Sequence, residues 1–254
     1  MQMHSRSLIR GLQVLESFNP QKDNYSLSEM AKNLDIPKSS LYRIVKDLAR
    51  MNYLRYEVQS KRYYLGMRIL SLGFSLLQSM EIREIARPYL EALSKECNMT
   101  ANLAIFTNDE MVYVDRIRVP GIRQFNVGVG NKVPLWNTAV GRAYISYLDS
   151  KKVKGLLRTA RKSSNFKMDE NVLTTILAEV RKDGFAMNNQ EFQWGILAVA
   201  VPVFSTSGVV GAINLVGEPE NLSVDILRYE YAPKLMSVGK ELSNALGYRE
   251  FPPS

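Results

Sequence analysis

Side chains able to do covalent chemistry are scarce in this sequence. Its one histidine, His4, lies in the polar N-terminal segment, and its one cysteine, Cys97, continues a stripe of Ile85, Tyr89 and Leu93. Nucleophilic catalysis needs an imidazole beside a hydroxyl or thiol, so no hydrolase of that kind is expected. A thiol in a helical apolar stripe reads as core. No His/Cys grouping has zinc spacing. Gly128-Val-Gly130 lacks the third glycine of a dinucleotide loop, because Val133 stands there, and Asp109-Glu110 falls in a turn where both carboxylates are solvated. The sequence points to no enzyme and to no cofactor.

What is spaced for chemistry is polar and cationic. After Pro37, Leu41, Ile44, Val45 and Leu48 form one helical stripe, leaving Lys38, Ser39, Ser40, Tyr42, Arg43, Lys46 and Asp47 on the outside. A helix whose first turn is polar and basic suits the DNA major groove. Ser39, Ser40, Tyr42 and Arg43 are candidates for base-edge or near-phosphate contacts, Arg43 through the paired donors that match guanine. Lys38 and Lys46 suit phosphates, which position a protein without specifying sequence.

The elements that must hold this helix are legible around it. Leu8, Leu12, Leu15 and Phe18 give a first amphipathic helix; Ser26 and Glu29 form a capping-box pattern for a second, carrying Leu27, Met30, Ala31 and Leu34. Between them a polar loop is expected to reach Tyr25. Asp35-Ile36-Pro37 is the turn of a helix-turn-helix, with small Ala31 at the crossing and Asp35 where a positive φ is common. Tyr53–Tyr56 and Arg62–Leu65 read as a hairpin wing from which Lys61 and Arg62 reach the backbone or minor groove. Residues 1–66 hold 11 Lys/Arg against 6 Asp/Glu, while the rest of the chain, with 22 against 19, is nearly balanced. A basic module followed by a balanced one fits a DNA reader with a separate sensor.

From Gly66 an apolar helix with Ile69, Leu70, Leu72, Leu76 and Leu77 reads as a linker that also packs on a partner subunit. Beyond it a helix over 81–97 is expected, then strands at 101–106, 111–116, 124–129, 185–188, 195–204 and 209–216. Helices at 138–147, 151–158, 170–182 and about 223–246 complete the pattern, the last bent at Pro233. Strands joined by tight turns imply an antiparallel sheet with helices, an α+β domain. The predicted organisation is 1–66 reader, 67–79 linker helix and 80–254 sensor. The longest apolar run, Ile196 to Phe204, is too short to span a bilayer, and the N-terminus has no signal core, so a cytoplasmic protein with no membrane association is expected.

Three stretches, Ser7 to Glu16, Leu34 to Arg43 and the wing ending Tyr64-Leu-Gly66, resemble the isocitrate-lyase-regulator (IclR) family of transcription regulators. Val133-Pro-Leu-Trp-Asn-Thr-Ala-Val-Gly-Arg-Ala143 resembles that family's effector-domain signature, as do Asp183-Gly-Phe, Gln190-Glu191, Ala200-Val-Pro-Val203 and Gly208 to Ala212. The resemblance covers nearly the whole chain. It implies a winged helix-turn-helix joined to a GAF-like effector domain. It also implies a homodimer or dimer of dimers on a near-palindromic double-stranded operator, with repression of a catabolic operon as the commoner output. Trp136 stands where members often carry histidine, and Asn137 follows it; the indole is read as either pocket wall or core.

Thr138 opens a helix, so free N–H groups near Ala139 and Val140 suit an anionic oxygen. The resemblance places further pocket residues at Asn188, Ile196, Ala198, Asn214 and Val216. Apolar walls with two amides suit a small organic acid bearing hydroxyls, such as a sugar acid. Glu191 is expected to pair with an arginine such as Arg142. A competing reading keeps the metabolite pocket but gives the N-terminus only a dimerising role; retention on DNA at low salt, lost as salt rises, separates the two.

Overall fold

Helix α1 (Arg6–Glu16) begins where the Ser5 hydroxyl accepts the Leu8 N–H. Its inner face meets two further helices. In the computed structural model, which describes residues 5–19, 21–119, 127–161, 168–220 and 222–249, the chain divides into two compact units, Met1–Ser79 and Met80–Ser254.

In the first unit Asn24–Ser26 forms strand β1, and Ser26 then caps α2 (Leu27–Asn33) through a reciprocal pair of bonds with Glu29. Asp35 carries the turn at φ 51°, a left-handed conformation that aspartate tolerates better than most residues. The Ile36 N–H reaches back to the Ala31 carbonyl, and α3 (Lys38–Arg50) starts directly after Pro37. Val14, Met30, Ile36, Leu41 and Val45 are buried together, so the three helices share one core. Strands β2 (Leu54–Glu57) and β3 (Arg62–Leu65) form the wing. β1, expected as loop, pairs with the other edge of β3 through Tyr25 and Tyr63, giving a three-stranded sheet ordered β1-β3-β2. Three residues between a turn and a cap are too few to show a period of two, which is why the sequence hid it. Helix α4 (Met67–Gln78) buries none of its residues within the unit.

The second unit is built on a six-stranded antiparallel sheet ordered β6-β5-β4-β9-β8-β7. Helix α5 (Glu81–Cys97) ends on left-handed Asn98 and leads into β4 (Thr100–Thr107). The turn to β5 (Glu110–Ile117) uses positive φ at both Asn108 and Asp109, the geometry that suits tight hairpins. The strand expected at 124–129 does not form as such: its first residues lie outside the described residues, Val127–Val129 are not in a strand, and β6 is the short Lys132–Val133. Helices α6 (Ala139–Ile145), α7 (Ser150–Ala160) and α8 (Glu170–Asp183) follow, α8 closing on left-handed Gly184. Then come β7 (Ala186–Asn189), β8 (Leu197–Ser205) and β9 (Gly208–Gly217).

The C-terminal helix runs without a break from Val224 to Ala245, as α9 (Val224–Ile226), a π-helical turn (Leu227–Tyr231) and α10 (Ala232–Ala245). Pro233, in the first turn of α10, cannot donate a bond to the preceding turn, and its ring would crowd the carbonyl four residues back. The wider turn relieves both.

Alternation along β8 divides the sheet's faces. Ala198 and Ala200 join the core under α6 and α8. Val201 points the other way, against α10, where a Cβ on Gly239 would lie 2.7 Å from its Cγ2. The sheet is thus covered on both faces. The α+β class expected from the sequence is the class observed.

Candidate nucleic-acid interface and effector cleft

On α3 the structure leaves Lys38, Ser39, Tyr42, Arg43 and Lys46 exposed together, with Leu41 and Val45 fully buried behind them. Ser40 is half-buried and accepts a hydrogen bond from Arg10 of α1 at 3.2 Å, so it also fixes α1 to α3. In the wing Lys61 is exposed at φ 54°. Arg62, also expected to reach the DNA backbone or minor groove, is engaged within the fold. Its guanidinium is held by Glu29 at 2.6 Å and by the Asn24 side chain, which ties the wing to α2. Arg62 therefore ties the wing to α2, while Lys61 is exposed.

The Ser26 N–H and then the Arg62 guanidinium hold the Glu29 carboxyl down from the ordinary 4.5 to about 2. A depressed carboxyl stabilises the fold fully above its unfolded pKa and loses that contribution as pH falls through the folded value. Glu29→Gln is expected to lower the melting temperature above about pH 5, with the gap to the native protein closing between pH 4.5 and about 2. Melting the full chain across that range checks this.

In the second unit a half-open cleft lies on the α6 side of the sheet. Six of the expected residues line it: Ala139, Asn188, Ile196, Ala198, Asn214 and Val216. Three do not. Val140 is fully buried in the core; Trp136 is buried there too; Asn137 serves the wall indirectly, its carbonyl accepting the Asn188 amide at 2.6 Å. The Thr138 hydroxyl accepts the Gly141 N–H at 3.1 Å, so part of the helix start is already capped, and α6 has only seven residues. The cap takes the Gly141 N–H, not the Ala139 and Val140 N–H groups expected to face an anion.

Arg142 and Glu191 pair as expected. The guanidinium, nearly buried, also donates to the Trp136 carbonyl at 2.8 Å and to the Met187 carbonyl at 3.3 Å. It locks α6 to the loop that follows β7.

The cleft also contains residues the sequence reading passed over: Asn102, Tyr113, Arg116, Val127 and Phe192. Strict alternation from Met111 would put Asp115, not Arg116, beside Tyr113. A β-bulge interrupts the ladder: Ala104 faces Tyr113 but Leu103 faces Asp115, leaving Val114 extra on β5. The bulge turns Arg116 into the cleft and Asp115 to the opposite face, where Arg87 holds it at 3.1 Å. Arg116 Nε is buried without a hydrogen-bond partner among the described residues. Its burial, with Arg118 nearby, lowers its pKa. Burial likewise pushes Tyr113 up to about 12, so its hydroxyl stays neutral.

Two family profiles match this chain: "IclR helix-turn-helix domain" over residues 7–58 and "Bacterial transcriptional regulator IclR C-terminal" over residues 74–244. The chain belongs to the IclR family. Among IclR relatives, HTH-type transcriptional regulator XynR of Escherichia coli (strain K12) is 28% identical over 247 residues, 96% of this chain and 98% of that protein. The acetate operon repressor of Salmonella typhimurium is 23% identical over 249 residues, 95% of this chain and 90% of its own. The crystal structure of an IclR family regulator from Brucella abortus superposes with a TM-score of 0.83 at 26% identity, covering 96% and 93% of the two chains. IclR proteins are transcription regulators with a DNA-binding helix-turn-helix domain and a C-terminal effector domain, not enzymes. Among the described residues no helix is long and apolar enough to cross a membrane.

Proposed function

We propose that this protein is a cytoplasmic, sequence-specific repressor of a catabolic operon whose hold on DNA is changed by a small organic acid in the effector cleft. Residues 1–66 act as reader, 67–79 as linking helix and 80–254 as sensor. The observation that carries the reading is the exposed row Lys38, Ser39, Tyr42, Arg43 and Lys46 on a helix whose other face is fully buried. Such a helix is rigidly placed, and its polar face has no role inside the fold. Tyr42 and Arg43 reach base edges, Ser39 and Ser40 the adjoining phosphates or bases, and Lys38, Lys46 and Lys61 the backbone. Repression is supported by relatives such as the acetate operon repressor of Salmonella typhimurium.

The protein works as a homodimer or dimer of dimers on a near-palindromic operator, since a two-fold protein reads a two-fold site. Support comes from α4, where Met67, Leu70, Leu72, Phe74 and Leu76 are all more than half exposed. An apolar helix left bare in one chain is a contact for a second copy.

The test is anisotropy of a labelled duplex taken from the intergenic DNA beside the protein's own gene. Binding is expected at low salt, with log K falling against log salt at a slope of about −0.9 per neutralised phosphate. Binding is also expected to shift when an organic acid is added. A slope near zero, or equal affinity for scrambled duplex, would contradict the reading.

A further inference from the structure

The cleft holds a directional chain of hydrogen bonds with both ends open. Asn102 faces Asn214 across one ladder and Arg116 across the other, so the three side chains stand in a row on β9, β4 and β5. The Asn102 amide donates to Asn214 Oδ1 at 2.9 Å, and the Asn214 amide donates to Tyr113 Oη at 3.3 Å. Asn102 Oδ1 is left buried with no donor. Tyr113, whose oxygen already accepts, keeps its own proton to give. Arg116 adds a cation whose Nε lacks an acceptor.

A buried acceptor and a half-buried cation whose Nε is left unpaired both cost free energy, and native folds keep few such groups. No carboxylate among the described residues pairs with Arg116; its neighbour Asp115 faces away, towards Arg83 and Arg87. All three open groups line the same cleft. The missing partners are therefore an anion and a hydrogen-bond donor carried by one guest.

The geometry points to Arg116 as the anchor for the effector's carboxylate and to Asn102 and Tyr113 as readers of its hydroxyl and acid oxygens, making the cleft selective for hydroxy acids. This inference rests on the cleft being an organic-acid site. Arg116, unlike a helix N-terminus, gives a planar paired-donor match to a carboxylate. The apolar walls of Ile196, Ala198 and Val216 hold the carbon frame.

Calorimetry and thermal shift on the full chain test it, with two matched series: lactate, propionate and lactamide; 4-hydroxybenzoate, benzoate and 4-hydroxybenzamide. In the series that fits, the hydroxy acid is expected to bind at least about tenfold more tightly than its amide, and more tightly than the acid lacking the hydroxyl. Arg116→Gln should weaken the hydroxy acid roughly 10- to 100-fold, with Arg116→Lys recovering part of that. The unliganded melting temperature of Arg116→Gln should stay level or rise, because a half-desolvated cation with an unpaired Nε is gone; a merely structural arginine would give a fall. Asn102→Ala should close the gap between hydroxy acid and plain acid.

Equal binding of the hydroxy acid by native protein and Arg116→Gln would overturn the anchor while leaving the organic-acid reading standing. Amides binding as well as acids, or no acid of either series binding, would overturn both. Equal affinity for the hydroxy and plain acids in the native protein would overturn the role given to Asn102.

Discussion

Arg43→Ala is expected to lower affinity for a selected operator by roughly 5- to 150-fold per half-site, the range for losing one bidentate base contact. The loss should come with relaxed preference at a single base position. Lys46→Ala is expected to behave differently, weakening every duplex alike and reducing the salt slope by about one per site. The contrast follows from chemistry: a guanidinium fork matches two acceptors on guanine, while an ammonium is a point charge. Neither substitution should disturb folding, because both side chains project from α3 into solvent. Anisotropy against matched and single-base-changed duplexes at two salt concentrations separates the two behaviours.

Gly141→Ala is expected to cost the second unit much of its stability. In an open helix, alanine gains about 1 kcal/mol over glycine. Here the new Cβ would sit 2.3 Å from the Leu135 carbonyl oxygen and 2.4 Å from the Leu135 Cα, both backbone atoms. The loop before α6 cannot step aside cheaply, since Arg142 bonds the Trp136 carbonyl and Thr138 bonds the Pro134 carbonyl. The clash outweighs the propensity gain, and a net loss of about 3 kcal/mol is expected. For a unit of this size that is a fall of about 6–12 °C. Gly155→Ala on α7 is the control: nothing lies within 4 Å of its Cβ, and the position is exposed, so a gain of about 0.5–1 kcal/mol is expected there. Calorimetric scans of both variants in the full chain would decide; Gly141→Ala melting at or above the native temperature would refute the packing argument.

The reading module was legible because its signals are local. The Ser26–Glu29 capping box, the Asp35 turn and the stripe of Leu41, Ile44, Val45 and Leu48 each involve neighbours within one turn or two. The cleft was legible only in part. Ala198, Val216, Asn188 and Asn214, which line it, were placed there by the family resemblance and not by any local pattern. Arg116 was not, because one extra residue, Val114, reverses the alternation of β5, and a bulge is set by pairing with β4 rather than by local pattern. Asn102 did carry a signal: a polar residue inside the apolar run from Ala101 to Phe106. The bonds from Arg62 to Asn24 of β1 and Glu29 of α2 were equally hidden, because both partners lie more than 30 residues away in sequence.

The same bulge makes β5 the strand with two duties. Asp115 anchors α5 through Arg83 and Arg87, and the next residue faces the cleft. One strand thereby serves both the guest and the helix that leads the sensor unit.

The most direct measurement is selection from a randomised duplex pool with the native full chain and with the double variant Tyr42→Ala/Arg43→Ala, after confirming that both melt alike. The native chain should enrich an inverted repeat whose half-sites lie about one helical turn apart, and the double variant should enrich no sequence above the input. Recovery of the same repeat, at the same affinity, by both proteins would contradict the assignment of α3 as the reading element.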